Sequence, residues 1–151
     1  MKNMTQTVNP MEVLKSLSEA TSMLISKVSK SVVSVNAQMS RGTGVVLTSD
    51  GYIVTCNHVL AGCSTVKVGQ GEKTFNAKIV GSDSYNDVAL LKAEKGEFTP
   101  IEMGDSEKLN VGQYVLALAN PFNRQQTTAT TGIVTSVNST IRGWRGTQME
   151  N

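Results

Sequence analysis

The stretch Gly42–Gly62, "GTGVVLTSDGYIVTCNHVLAG", decides the fold and contains His58, the one histidine of the 151 residues. Two short β-prone runs, Val45–Leu47 and Tyr52–Val54, are separated by the turn residues Ser49–Gly51. An Asp-Gly pair between two such runs is a strong signal for a β-hairpin. We therefore expect two antiparallel strands, the second of which leads directly toward the histidine.

Further β-rich runs continue on both sides of this hairpin, separated by turn residues at regular spacing. Such spacing is typical of an all-β sandwich or barrel. A polar stretch that ends at Pro100 interrupts the series and is interpreted as a linker. The additional strands are expected within residues 31–38, 64–70, 72–83, 87–94, 113–121 and 127–138.

The N-terminal region has the pattern of an amphipathic helix. Asn9 is a capping residue, Pro10 suits the first helical position, and Glu12 adds an acid to the first turn. These signals predict a helix over residues 10–29. Its apolar stripe indicates either a helix packed on its own domain, the preferred interpretation, or one that docks onto a partner or lipid. The stripe consists of Val13, Leu17, Ala20, Leu24 and Val28.

These patterns divide a mainly β chain into three parts. Residues 1–30 form the helical segment, and residues 31–97 carry five or six strands, enough to close a small barrel. Residues 98–151 carry only two or three strands, which would leave an unpaired edge. We therefore expect one complete β-barrel followed by an incomplete second one.

Composition narrows the function. The sequence is 39% hydrophobic and 17% charged, which is typical of a globular protein. The net charge of only +2 gives no indication that the protein binds nucleic acid or membranes. The longest apolar run, Tyr114–Ala119, is too short to span a bilayer. The first ten residues show no signal peptide, so the chain as it stands is expected to be cytoplasmic.

His58 admits three roles: a general base, a metal ligand or a packed core residue. Cys56, His58 and Cys63 could offer three metal ligands, but their spacing matches no common zinc pattern, so small buried cysteines and no metal or cofactor are expected. A base needs a group that orients the imidazole. Asp87 stands immediately before a wholly apolar strand, where its carboxylate would be partly buried and fixed in direction.

Three segments carry a family resemblance. Gly42–Gly62 resembles the segment around the catalytic histidine of the HtrA/DegP family of trypsin-like serine proteases, and "DSYNDVALLKAE" (Asp83–Glu94) resembles its catalytic-aspartate segment. Ile101–Phe122 followed by Thr127–Asn138 resembles the start of that family's second barrel. The resemblance implies two six-stranded barrels and a catalytic cleft between them.

By this resemblance His58 is the general base, Asp87 orients it, and the substrate is polypeptide, as in the hydrolysis of unfolded or misfolded proteins during quality control. The family's Gly-Asn-Ser-Gly-Gly-type nucleophile motif does not occur in these 151 residues. Gly104-Asp105-Ser106 looks similar, but Glu107 and Lys108 follow Ser106 where the motif has glycines. We therefore expect the chain by itself to be inactive.

A second hypothesis is a non-catalytic barrel that binds peptide or a partner chain through its open sheet edge. It predicts a homo-oligomer or a strand-swapped dimer. The basic and aromatic stretch Arg142–Gly146 is interpreted as a loop.

Overall fold

The structure, a computed structural model, describes residues 9–60, 62–120, 127–137, 141–142 and 148–149. The described part holds two helices and ten strands joined by turns and two short 3-10 segments. Their bounds are α1 Pro10–Val28, β1 Val32–Asn36, β2 Arg41–Val46, β3 Tyr52–Cys56, α2 Asn57–Leu60, β4 Thr65–Gln70, β5 Lys73–Asp83, β6 Val88–Ala93, β7 Tyr114–Ala119, β8 Thr128–Ile133, β9 Ile141–Arg142 and β10 Gln148–Met149.

Strands β1 to β6 close into an antiparallel barrel in the order β1-β2-β3-β6-β5-β4. The expected hairpin forms its second and third strands, with Val45 opposite Val54. Because successive side chains of a strand point to opposite faces, every second residue fills the interior. The largest fully buried apolar side chains are Ile53, Leu91, Val33, Val35, Val46 and Val68. The predicted six-stranded first barrel is thus confirmed.

The stretch predicted as a linker contributes to the barrel core. Phe98 is only 6% exposed and belongs to the cluster of buried apolar residues. Its ring meets that of Phe75 edge-on, with centroids 5.4 Å apart. A single aromatic residue within a polar run has no periodicity, so the sequence pattern did not reveal this contact.

Helix α1 forms almost as predicted and ends at Val28. The side chain of Asn9 caps it by accepting a hydrogen bond from a backbone N–H of the first turn. The interpretation that its stripe packs on its own domain was wrong, because no residue of α1 is buried. Val13, Leu17 and Leu24 remain between 47% and 52% exposed. The buried apolar cluster is formed by residues of the barrel, α2 and Phe98, and includes no residue of α1.

Beyond the barrel, β7 and β8 pair antiparallel, with Tyr114 opposite Ile133. Every residue of β8 is exposed, and β9 and β10 form a separate short pair. The backbone N–H of Asn120 donates to Thr43 Oγ1 over 2.9 Å and connects the end of β7 to β2. Within the described ranges no helix is long and apolar enough to cross a membrane.

Candidate active site

The histidine lies on α2, a four-residue helix that directly follows β3 and that the sequence patterns did not predict. Val59 and Leu60 are buried and hold this helix on the barrel. Gly42 makes the close approach feasible, because an added Cβ there would lie 2.6 Å from Val59 Cγ2. His58 consequently faces outward, with 71% of its side chain exposed. In the sequence, the two glycines of Gly42-Thr43-Gly44 are the feature from which this close packing could have been predicted.

Asp87 precedes β6 and has a backbone φ of +54°. Among residues with a side chain, aspartate and asparagine tolerate this left-handed region best. The backbone carbonyl of Asp87 accepts a hydrogen bond from the N–H of Asn57 over 3.1 Å. Because β3 and β6 are neighbours, with Cys56 opposite Val88, Asp87 lies beside α2.

The carboxylate of Asp87 contacts His58 through both of its oxygens. His58 Nδ1 lies 2.6 Å from Oδ2, and the backbone N–H of His58 donates to Oδ1 over 2.8 Å. The ring is therefore fixed in orientation, with Nε2 on the side away from the carboxylate. As expected, the Asp87 side chain is partly buried, with 30% exposed.

Opposing effects act on the acidity of Asp87. Partial desolvation raises the pKa of Asp87, but hydrogen bonds from the side chain and backbone of His58 together outweigh it and hold the pKa below its usual value of 3.8. The carboxylate is therefore ionised at neutral pH. The carboxylate can therefore accept a hydrogen bond from Nδ1–H of His58 and stabilise the imidazolium form of this ring.

The profile of the trypsin-like peptidase domain matches residues 42–151, which is more than half of the sequence. The chain belongs to the trypsin-like peptidase family. It is 42% identical over 103 residues to a Pseudomonas putida protein named "Probable periplasmic serine endoprotease DegP-like". It is also 40% identical over 109 residues to a Haemophilus influenzae protein named "Probable periplasmic serine protease do/HhoA-like".

These matches cover 68% and 70% of this trypsin-like chain but 21% and 23% of the two relatives. The chain thus spans about one fifth of the length of the curated relatives it matches. The resemblance to HtrA/DegP proteases and the trypsin-like fold class are confirmed.

The expected cytoplasmic location was wrong. The relatives are named as periplasmic proteins, which points to the periplasm. The expectation relied on the first ten residues, whereas the match to each relative covers only a fraction of that relative's length.

The two cysteines of this trypsin-like domain differ from expectation. Cys56 is exposed and Cys63 is half-buried, so the prediction of two buried cysteines was wrong. Partial desolvation, followed by the negative charge of Asp87, raises the pKa of the Cys56 thiol. Such a thiol is protonated at neutral pH and is a poor nucleophile.

The fold brings together a different set of possible cation ligands from the set that was considered from the sequence. Three donor atoms, one each from Cys56, His58 and Asp87, lie within 4.8 Å of one another. Cys63 is outside this group. The trio of Cys56, His58 and Cys63, considered from the sequence and not favoured there, is therefore not brought together.

Ser106 lies in an exposed 3-10 turn, Ser106–Lys108, that Asp105 caps by accepting a hydrogen bond from the N–H of Glu107. No glycine turn follows Ser106, and among the described hydrogen bonds none joins it to His58. Of the basic and aromatic stretch, residues 143–146 lie outside the described residues.

Proposed function

We propose that this chain supplies the general base and the orienting carboxylate of a serine endopeptidase. The observation that carries the proposal is the 2.6 Å contact between His58 Nδ1 and Asp87 Oδ2. In this role, Nε2 of His58 removes the proton of a serine hydroxyl that attacks the peptide carbonyl. Asp87 accepts from Nδ1–H, keeps the correct tautomer and stabilises the imidazolium that forms.

The relatives support a polypeptide substrate, since they are named as serine endoproteases of the periplasm. We place the reaction in the periplasm and assign it to unfolded or misfolded proteins, as the HtrA/DegP resemblance implies. An exposed histidine is consistent with a large substrate, because an extended polypeptide can reach it without entering a closed cavity.

The nucleophile is proposed to come from outside these residues, because no serine here stands in a Gly-Asn-Ser-Gly-Gly-type motif. That motif also forms the turn whose N–H groups stabilise the oxyanion. In this proposal residues 31–97 are the first barrel and residues 98–151, which follow it, begin the second. The chain by itself is therefore expected to be inactive.

The test joins this chain to the C-terminal continuation of the Pseudomonas putida relative and measures hydrolysis of unfolded casein. His58→Ala should lower kcat by about six orders of magnitude and Asp87→Asn by about four, as loss of the corresponding triad member does. Cys63→Ser is the matched control and should retain activity. Equal activity of all variants would exclude the proposed roles. The unfused chain should not react with a fluorophosphonate probe, and covalent labelling would contradict its inactivity.

One observation favours the second candidate, a non-catalytic module that binds a peptide or another chain. Strands β7 and β8 form a two-stranded sheet in which every residue of β8 is exposed. Two isolated strands are marginally stable in water, so a further strand from a partner would stabilise them. Sedimentation velocity tests this candidate for pairing with a second copy of the chain: a defined oligomer would support it, and a monomer would count heavily against it.

A further inference from the structure

A thiol, an imidazole and a carboxylate meet at the end of the barrel, where donor atoms of Cys56, His58 and Asp87 lie within 4.8 Å of one another. We propose that these three residues form a binding site for a thiophilic divalent cation, Zn²⁺ foremost, whose occupation blocks His58 as a base. The blocking effect rests on the proposed function, whereas cation binding does not.

The donor set suits zinc in both chemistry and charge. Zn²⁺ binds thiolate, imidazole and carboxylate, and three protein ligands leave a fourth position for water. The mixed hard and soft donors disfavour Mg²⁺ and Ca²⁺, which prefer oxygen ligands alone. On coordination the Cys56 thiol releases its proton to solvent. The thiolate and the Asp87 carboxylate then carry two negative charges that balance the cation.

The backbone already holds the three residues together. Cys56 ends β3 opposite Val88, the neighbour of Asp87, and His58 follows two residues later. Two backbone hydrogen bonds fasten Asp87 to this segment, from the N–H groups of Asn57 and His58. A cation would therefore bind a preformed cluster and would not have to gather distant segments.

Small side-chain movements convert the cluster into a coordination site. Zinc lies about 2.0–2.3 Å from nitrogen, oxygen and sulfur ligands, so tetrahedral donors are roughly 3.3–3.7 Å apart. The distance between His58 Nδ1 and Asp87 Oδ2 must increase from 2.6 Å. The longest distance between two of the three donor atoms, which is at most 4.8 Å, must decrease. Both changes are on the order of 1 Å, and the exposed side chains of Cys56 and His58 can make them.

Coordination would remove the basic nitrogen. If Nδ1 of His58 binds the cation, the neutral imidazole must carry its proton on Nε2. That nitrogen then has no lone pair with which to accept the serine proton. The Asp87 carboxylate is also diverted from Nδ1–H to the cation. The site thus acts as a reversible inhibitory switch and not as a catalytic centre.

The test titrates Co²⁺ into the 151-residue chain under reducing conditions and follows the thiolate-to-cobalt charge-transfer band. We expect a one-to-one complex that Zn²⁺ displaces. Cys56→Ser should abolish the band and weaken Zn²⁺ binding by at least about tenfold, the lower bound for loss of an outer-shell partner. Cys63→Ser is the matched control and should bind as the parent chain does. Circular dichroism of both variants should show that they are folded.

A second readout uses the fact that His58 is the one histidine of the chain. Its Hε1 resonance should shift on addition of Zn²⁺ in the parent and in Cys63→Ser, but far less in Cys56→Ser. Absence of a cobalt band, or equal Zn²⁺ affinity of Cys56→Ser and the parent, would overturn the proposal. Neither readout requires proteolysis, so failure of this site is distinguishable from failure of the proposed protease function.

Discussion

His58 and Asp87 are joined by two hydrogen bonds that come from different parts of the histidine. The ring nitrogen Nδ1 contacts Oδ2 and the backbone N–H contacts Oδ1, at 2.6 Å and 2.8 Å. Because both oxygens are engaged, the carboxylate cannot rotate without losing a partner. The fold itself therefore sets the orientation of the imidazole, and preorganisation of this kind is what the proposed role as a general base requires.

Asp87→Asn should disrupt the ring contact while it preserves most of the local backbone. Asparagine tolerates the left-handed conformation of residue 87, and its single carbonyl oxygen can satisfy only one of the two donors. In proton NMR, the strongly deshielded Nδ1–H signal expected for the parent should be lost. Asp83→Asn is a matched control, because Asp83 ends β5 directly before this loop and its carboxylate accepts hydrogen bonds from Tyr85 and Asn86. Retention of the signal in Asp87→Asn would contradict the assigned contact.

The pair should contribute to stability in a pH-dependent manner. The pKa of Asp87 is lowered below 3.8 in the folded chain, so the unfolded chain binds the proton more readily. Its contribution is therefore fully present above the unfolded value near 3.8 and is lost as the pH falls through the lower folded value. Urea unfolding from pH 6 to pH 2 should show the parent and Asp87→Asn converging at the acidic end. A constant difference in unfolding free energy over this range would contradict the assignment.

Gly44→Ala should destabilise the barrel because β2 passes close to the core at this position. An added Cβ would lie 2.7 Å from Ile53 Cγ2 and 2.9 Å from Val35 Cγ2. Overpacking of this kind costs about 1–3 kcal/mol. Gly81→Ala is the control, since a Cβ at Gly81 on β5 meets nothing within 4 Å. Urea denaturation measures both variants, and an equal loss in the two would argue against the described packing.

Truncation of apolar side chains should separate the barrel core from helix α1. Ile53→Ala removes a fully buried side chain and should cost about 2–5 kcal/mol of unfolding free energy. Leu17→Ala changes a side chain that is 47% exposed, and its effect should be within about 0.5 kcal/mol. Chemical denaturation compares the two. A large effect at Leu17 would indicate that the helix stripe is covered in solution.

Local patterns were sufficient for most elements of the fold. The Asp-Gly turn between two β-prone runs predicted the β2–β3 hairpin, and Asn9 with Pro10 predicted the start of α1. These signals depend on residues that are close together in the sequence, and the helix stripe on a period of about four, so they can be recognised from the sequence alone. The candidate pair His58 and Asp87 was also named from sequence, through their segments' resemblance to a protease family.

The sequence by itself determined the first eight strands and the long helix, and its resemblance to a protease family named the candidate base and orienting acid. The tertiary structure decided their geometry, because closure of the barrel pairs β3 with β6 and brings together residues 29 positions apart. It also placed Phe98 in the core, left every residue of the α1 stripe unburied, and grouped Cys56 instead of Cys63 with the His–Asp pair. Burial and proximity depend on which distant segments pack together, and local periodicity carries no information about that choice.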